Sequence, residues 1–196
     1  MGQRSQIYIR YNVGNQKGLI ARYFSWNYGE RMISRARSII EYIKDAFTGE
    51  RYWASKECLL KLSRICEVNF DMKDVSLSTD IIEEVRCYGD RTSAEIFNAH
   101  NNDGQLLIDV SDSGIKYSFI DDPSHCTVMD GNTYMTWDRR GEDWSEPDEY
   151  LDQEAIDYTR ANIKAISEMA ELMTEDEVLG FLNDDYSYLL ELGGAI

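Results

Sequence analysis

The sequence predicts an α+β fold, an antiparallel sheet packed by helices, and three observations carry that expectation. Strand-like alternation opens the chain and returns in its middle. Segments of helical period separate those two groups. A longer helical stripe follows the second group and carries many acids. The element order read from these patterns is ββ-ααα-ββββ-αα, within a single domain spanning residues 1–196.

Gln6–Val13 alternates, with Ile7, Ile9, Tyr11 and Val13 on one face. That is the period of a strand. Gly14-Asn15-Gln16-Lys17-Gly18 supplies a turn, and Leu19–Ser25 returns as the second arm of a hairpin. From Glu30 to Phe47 the apolar positions Met32, Ala36, Ile39, Ile40, Ile43 and Phe47 fit a helix. Thr48-Gly49 ends it, with glycine where a helix stop favours it. A second helix is expected over 54–66. Asp80 with Glu83 three residues on forms a capping-box pattern for a third, closing at Tyr88-Gly89.

The middle reads as a β-meander. Leu106, Ile108 and Val110 alternate with polar neighbours, and Asp112-Ser113-Gly114 leads into Ile115, Tyr117 and Phe119. Cys126–Met129 and Thr133–Trp137 flank Asp130-Gly131, a strong hairpin signal. Next comes a polar loop, 138–145, with Trp144 expected to be exposed. A long acidic helix is then expected from Ser145, with Pro147 in its first turn, to Met173. Spanning Glu146–Met173, it would be roughly 40 Å long at about 1.5 Å per residue. Thr174 with Glu177 opens a short last helix, and the apolar tail after Tyr186 is expected to dock on the body.

The composition is that of a folded protein. Of 196 residues, 43% are hydrophobic and 12% aromatic. A chain of this length buries about 70% of its unfolded surface, so it needs neither disulfides nor metal to fold. Cys58, Cys66, Cys87 and Cys126 show no C-x-x-C spacing and are expected to be reduced. The polar start, Met1–Gln6, lacks an apolar targeting core, and no apolar run approaches the roughly 18 residues of a membrane span. The expectation is a cytoplasmic protein of a bacterial host, without a membrane partner.

The net charge of -16 is unevenly placed. Residues 1–70 carry a net of +6 and residues 71–196 a net of -22. The acidity makes a simple DNA-coating role, and direct nucleic-acid binding generally, a poor expectation. The basic start mixes arginines with Tyr11, Tyr23, Phe24, Trp26 and Tyr28, a combination that can stack single-stranded nucleic acid. Pairing with the acidic part of the same chain, or with a second copy, fits the charge balance better.

Catalytic motifs are scarce. His100 and His125 are the two histidines, and neither has the neighbours of a nucleophile–base pair. No glycine-rich phosphate loop is present, and no cofactor is expected. Asp109, Asp112, Asp121 and Asp122, with Glu95, have the chemistry for a divalent cation. Aspartates at strand ends and turns are equally explained by turn chemistry.

The segment SQIYIRYNVGNQKGLIARYFSWNYGERMISRAR, within residues 5–40, resembles small proteins encoded by phages and mobile elements of Gram-positive bacteria. The whole chain is similar in composition to anti-CRISPR and other anti-defence inhibitors. That resemblance implies a non-enzymatic inhibitor. It would occupy the basic nucleic-acid channel of a host protein, such as a CRISPR nuclease, as a nucleic-acid mimic. The acids expected to meet that partner are Glu142, Asp143, Glu149, Asp152, Asp157, Glu168 and Glu171. Same-sign charges three and four apart on a helix cost stability, so a chain that keeps them can be using them. Two alternatives remain open: a metal-dependent nucleic-acid hydrolase, and a phage structural or regulatory homodimer formed through the aromatic hairpin.

Overall fold

The computed structural model describes residues 4–48, 78–87, 92–97 and 103–191. β1 (Arg4–Val13) and β2 (Gln16–Ser25) form the predicted hairpin. α1 (Glu30–Thr48) follows, then β3 (Ser78–Asp80), α2 (Ile81–Cys87) and α3 (Ser93–Phe97). β4 (Gln105–Ser111) and β5 (Gly114–Ile120) make a second hairpin. α4 (Gly131–Asp138), α5 (Gln153–Met169), β6 (Glu171–Leu172), α6 (Glu175–Leu182) and α7 (Ser187–Glu191) complete the described chain. The helix expected over 54–66, Cys58, Cys66, the Tyr88-Gly89 stop and His100 lie outside the described residues.

The α+β class holds, but the sheet is mixed rather than antiparallel. Its six strands run β3-β2-β1-β4-β5-β6. β1 pairs with β2 antiparallel and with β4 parallel, Ile7 opposite Leu106 and Ile9 opposite Ile108. β5 and β6 are also parallel. Alternation within a strand reports which side chains share a face and is silent on the partner's direction. The β1–β2 hairpin and the first two strands of the expected meander were therefore legible, and their parallel junction was not.

Both faces of the sheet are covered. Ile7, Ile9, Phe24, Leu106, Ile108 and Phe119 belong to a core shared with α1 and α5. Tyr8, Ala21, Leu107 and Ile120 belong to a second core under α2, α3, α6 and α7. Hence Ile7, Tyr8 and Ile9 are all fully buried although they alternate. A strand packed on both sides has no solvent face to keep polar. On α1, Met32, Ile33, Ala36, Ile39, Ile40 and Ile43 are also fully buried, as the helical period required. Burying such side chains contributes roughly 1.5–3 kcal/mol each.

The Asp130-Gly131 hairpin is replaced by the start of α4. Asp130 caps that helix, its carboxylate accepting from Thr133 N at 2.8 Å. Aspartate serves turns and helix caps alike, so the dipeptide was ambiguous. Gly131 is needed for packing: a Cβ there would lie 2.8 Å from Ile163 Cγ1 on α5. Of the expected strand 126–129, a single bridge remains, between Met129 and Phe119.

The long acidic helix is shorter than predicted and nearly neutral. α5 begins after Asp152, whose carboxylate accepts from Ala155 N at 2.8 Å. Residues 146–151 instead form a loop in which Asp148 accepts from Tyr150 N and Leu151 N at 2.7 and 2.8 Å. Its 17 residues give a length of about 25 Å. It carries three acids, Glu154, Asp157 and Glu168, against Arg160 and Lys164. The Asp80 cap and the Thr174–Glu177 capping box form as predicted. In the tail, Tyr186 and Leu190 are buried. Trp144 is also buried, at 6% exposure, packed in the α1/α5 core with the Arg160 guanidinium over its ring. No helix among the described residues is long and apolar enough to cross a membrane.

Candidate binding groove and acidic surface

The basic N-terminal segment is held largely by partners within the chain. Arg10 donates from Nε to Asp109 at 2.9 Å, and its guanidinium also lies over the Phe181 ring. Asp184 lies 3.4 Å from Arg10 and 3.5 Å from Lys17. Arg22 faces Asp80 at 3.7 Å, and Arg37 donates to Asn162 at 2.8 Å. Arg35 is buried, bonded to Asn27 at 2.8 Å and stacked over Phe24. The hairpin's aromatic rings are equally committed. Tyr8 and Phe24 are fully buried, and Trp26 is the large apolar side chain of the hairpin region left exposed.

The aspartates considered as metal ligands are dispersed. Asp109 takes Arg10, and Asp112 accepts from Gly14 N at 3.1 Å, tying the two hairpin turns together. Asp121 accepts from Thr127, and Asp122 from Ser124 N at 2.7 Å. Glu95 lies on α3, apart from all of them in the fold. Among the described residues, no three His, Cys, Asp or Glu side chains gather as a metal cage. His125 and Cys126 sit in a turn rather than a strand, with Cys126 in a left-handed conformation.

The described residues include an open groove. Five parts of the chain line it: the turn from β2 into the start of α1, Asp103 before β4, Thr127 and Met129, α4, and the loop 139–151. α4 stops because Arg140 and Gly141 adopt φ of 58° and 87°, and the Gly141 amide bonds back to Thr136 O at 2.8 Å. That reversal follows directly on Asp138, the last residue of α4, and Asp138, Arg139 and Arg140 all line the groove. Gly29, at φ 52°, passes so close that a Cβ would lie 2.9 Å from the Asp138 carboxylate. Tyr134 pins the floor. Its hydroxyl donates to Asp103 O at 3.0 Å and accepts from Gly29 N at 3.2 Å. Its ring stacks on Phe119 with centroids 4.6 Å apart.

Three carboxyls, Glu30, Asp103 and Asp138, meet in this groove. Burial, and then the charges of Asp103 and Glu30, push the Asp138 carboxyl up to about 6, against the pull of Arg139. Burial also raises Asp103, opposed by the Arg4 amide that its carboxylate accepts. The rim carries arginines on aromatic rings. Arg31 lies 5.5 Å over Tyr28, and Arg139, paired with Asp148, lies 5.9 Å over Tyr150. Trp137 packs against Tyr134 at 5.9 Å. Chemically, the groove can hold a proton near neutrality or accept hydrogen bonds from a cation.

The acids predicted to form one surface have different local partners. Glu142 and Glu149 line the groove. The Ser145 hydroxyl, and then Ser145 N at 2.8 Å, hold the Asp143 carboxyl below the usual range, and Asp152 is the α5 cap. Asp157 accepts from Gln153 at 2.9 Å and lies 3.6 Å from Arg160. Glu168 faces Lys164 at 3.8 Å, and Glu171 faces Lys116 at 4.0 Å. Sequence reasoning missed Asp103, Asp138, Glu30 and Trp137. No local pattern joins positions so far apart in the chain. The weak signal was two aspartates beside glycine or arginine at loop edges, Asp103-Gly104 and Asp138-Arg139.

Neither a protein-family model, nor a curated protein sequence, nor a solved structure matches this chain.

Proposed function

We propose that this is a non-enzymatic binding protein that presents carboxylates to a basic partner. The partner class is a host nucleic-acid-binding protein, such as a CRISPR nuclease, whose basic channel the acids would occupy. One observation carries the reading. Arg10, Lys17 and Arg22 are matched by acids within the chain, whereas the loop 138–152 holds seven acids against Arg139 and Arg140. In that loop Glu142, Asp143, Glu146, Glu149 and Asp152 are all exposed. The second acid-rich stretch, 171–191, is partly neutralised, since Lys116 takes Glu171 and Glu177 while Arg10 and Lys17 share Asp184. The phage origin implied by residues 5–40 agrees with an inhibitor of this kind.

Such binding is steered by long-range attraction and screened by salt, over about 10 Å at 0.1 M. The test is capture from a bacterial lysate at low and high salt, with wild type and a Glu142→Lys/Glu146→Lys/Glu149→Lys variant. The expected result is a nucleic-acid-binding partner retained at low salt by wild type alone. Capture unchanged by salt and by the charge reversal would overturn the proposal.

A further inference from the structure

Building on the reading of this protein as a binder of a basic partner, we propose that the groove receives one arginine side chain of that partner. The charge of the groove selects a cation. Six acids line it against three arginines, and two of those arginines are already engaged, Arg139 with Asp148 and Arg31 with the Trp26 carbonyl and, at 3.9 Å, with Glu30, which leaves Asp103, Asp138, Glu142 and Glu149 against Arg140. Asp138 and Asp103 share a partly buried space in which Arg139 is the cation acting on Asp138, and burial, then the charges of Asp103 and Glu30, push the Asp138 carboxyl up to about 6.

The shape and chemistry of the walls select a guanidinium over an ammonium. A guanidinium is planar, stacks on aromatic faces and donates in a fork that matches carboxylates. Among the described residues five arginines lie over aromatic rings, and two of them, Arg10 over Phe181 beside Asp109 and Arg139 over Tyr150 beside Asp148, combine the ring with a carboxylate. Trp137 offers the same kind of face within the groove, and among the described residues no cation lies over it. The incoming group would lie against Trp137 and donate to Asp138. Tyr134 packs against the Trp137 ring and is itself fixed by its bonds to Gly29 N and Asp103 O.

The groups facing Asp138 are Glu30 and Tyr134, Asp103 across the floor, and Arg139 as the opposing cation. An added guanidinium would lower the Asp138 midpoint, and a one-unit fall corresponds to about tenfold tighter binding to the ionised form. Blocked Gly-Arg-Gly and Gly-Lys-Gly peptides, titrated into the full chain and followed by NMR, test this without the partner. Expected are saturable shifts at the Trp137 indole and the Asp138 carboxyl carbon, a fall of about one unit in the Asp138 midpoint, and weaker effects from the lysine peptide. Asp138→Asn is expected to weaken arginine-peptide binding about tenfold, and Glu175→Lys/Asp176→Lys to leave it unchanged. Shifts spread equally over Glu175, Asp176 and Glu191, equal response to both peptides, or an unmoved Asp138 midpoint would each overturn the groove assignment. Loss of peptide binding with salt-sensitive partner capture intact removes the groove and leaves the acidic surface standing; the reverse result removes the surface.

Discussion

The Arg10 site and the Asp138 groove hold charge in opposite ways. At Arg10 one guanidinium serves Asp109 and Asp184 and lies over Phe181, so charge is balanced where it is half buried. At Asp138 burial, and then the charges of Asp103 and Glu30, push the carboxyl up to about 6 with Arg139 as the opposing cation. The first site locks the sheet to α6 and to the segment that follows it. The second stores repulsion at an open surface. Matched charge in a fold is mostly architecture, while unmatched charge in a groove marks a place where something else can bind.

The comparison is broken most severely at the balanced site. Arg10→Ala should destabilise the protein by about 3 kcal/mol in urea unfolding, since it strands Asp109 and uncovers Phe181. A loss below about 0.5 kcal/mol would mean that the network is a surface ornament.

Gly131→Ala comes next. Its Cβ would press on the branched Ile163 side chain, and overpacking of this kind costs about 1–3 kcal/mol. Thermal unfolding should show the loss, and an Ile163→Val partner change should recover part of it.

Asp138→Asn should act with the opposite sign. The folded carboxyl titrates at about 6 against 3.8 in the unfolded chain. Its contribution to stability is therefore complete below about 4 and lost as pH rises through about 6. Because the site is partly open, the effect is on the order of 1–2 kcal/mol. Wild type should lose stability from pH 4 to pH 7 at this site, and the variant should lack that dependence and exceed wild type at pH 7.5. An unchanged pH profile would show that the three carboxyls do not interact.

The smallest stability effect belongs to the exposed loop. Glu142→Lys/Glu146→Lys/Glu149→Lys should move the unfolding midpoint by no more than about 0.5 kcal/mol, since these side chains are exposed. Its consequence should appear in partner capture alone, which separates this loop from the Arg10 site.

The sequence by itself determined the two hairpins, α1, the Asp80 and Thr174 caps, and the opposed charges of the two parts of the chain. Each depends on residues within a few positions of one another, where period and capping chemistry act directly. Tertiary structure decided the rest. Parallel pairing of β1 with β4 joins residues 99 apart, as Gln6 with Gln105, and no alternation encodes that distance. Asp130-Gly131 became a helix start because α5 approaches Gly131 closely, a contact absent from the local sequence. The acidic helix dissolved into a loop and a nearly neutral helix because Asp152, not Ser145, supplies the cap. The groove carboxyls came together for the same reason that they were illegible. Asp103 stands before β4, Asp138 ends α4 and Glu30 opens α1, and only the closed sheet with α4 upon it brings them into one groove, where burial raises the Asp103 and Asp138 carboxyls.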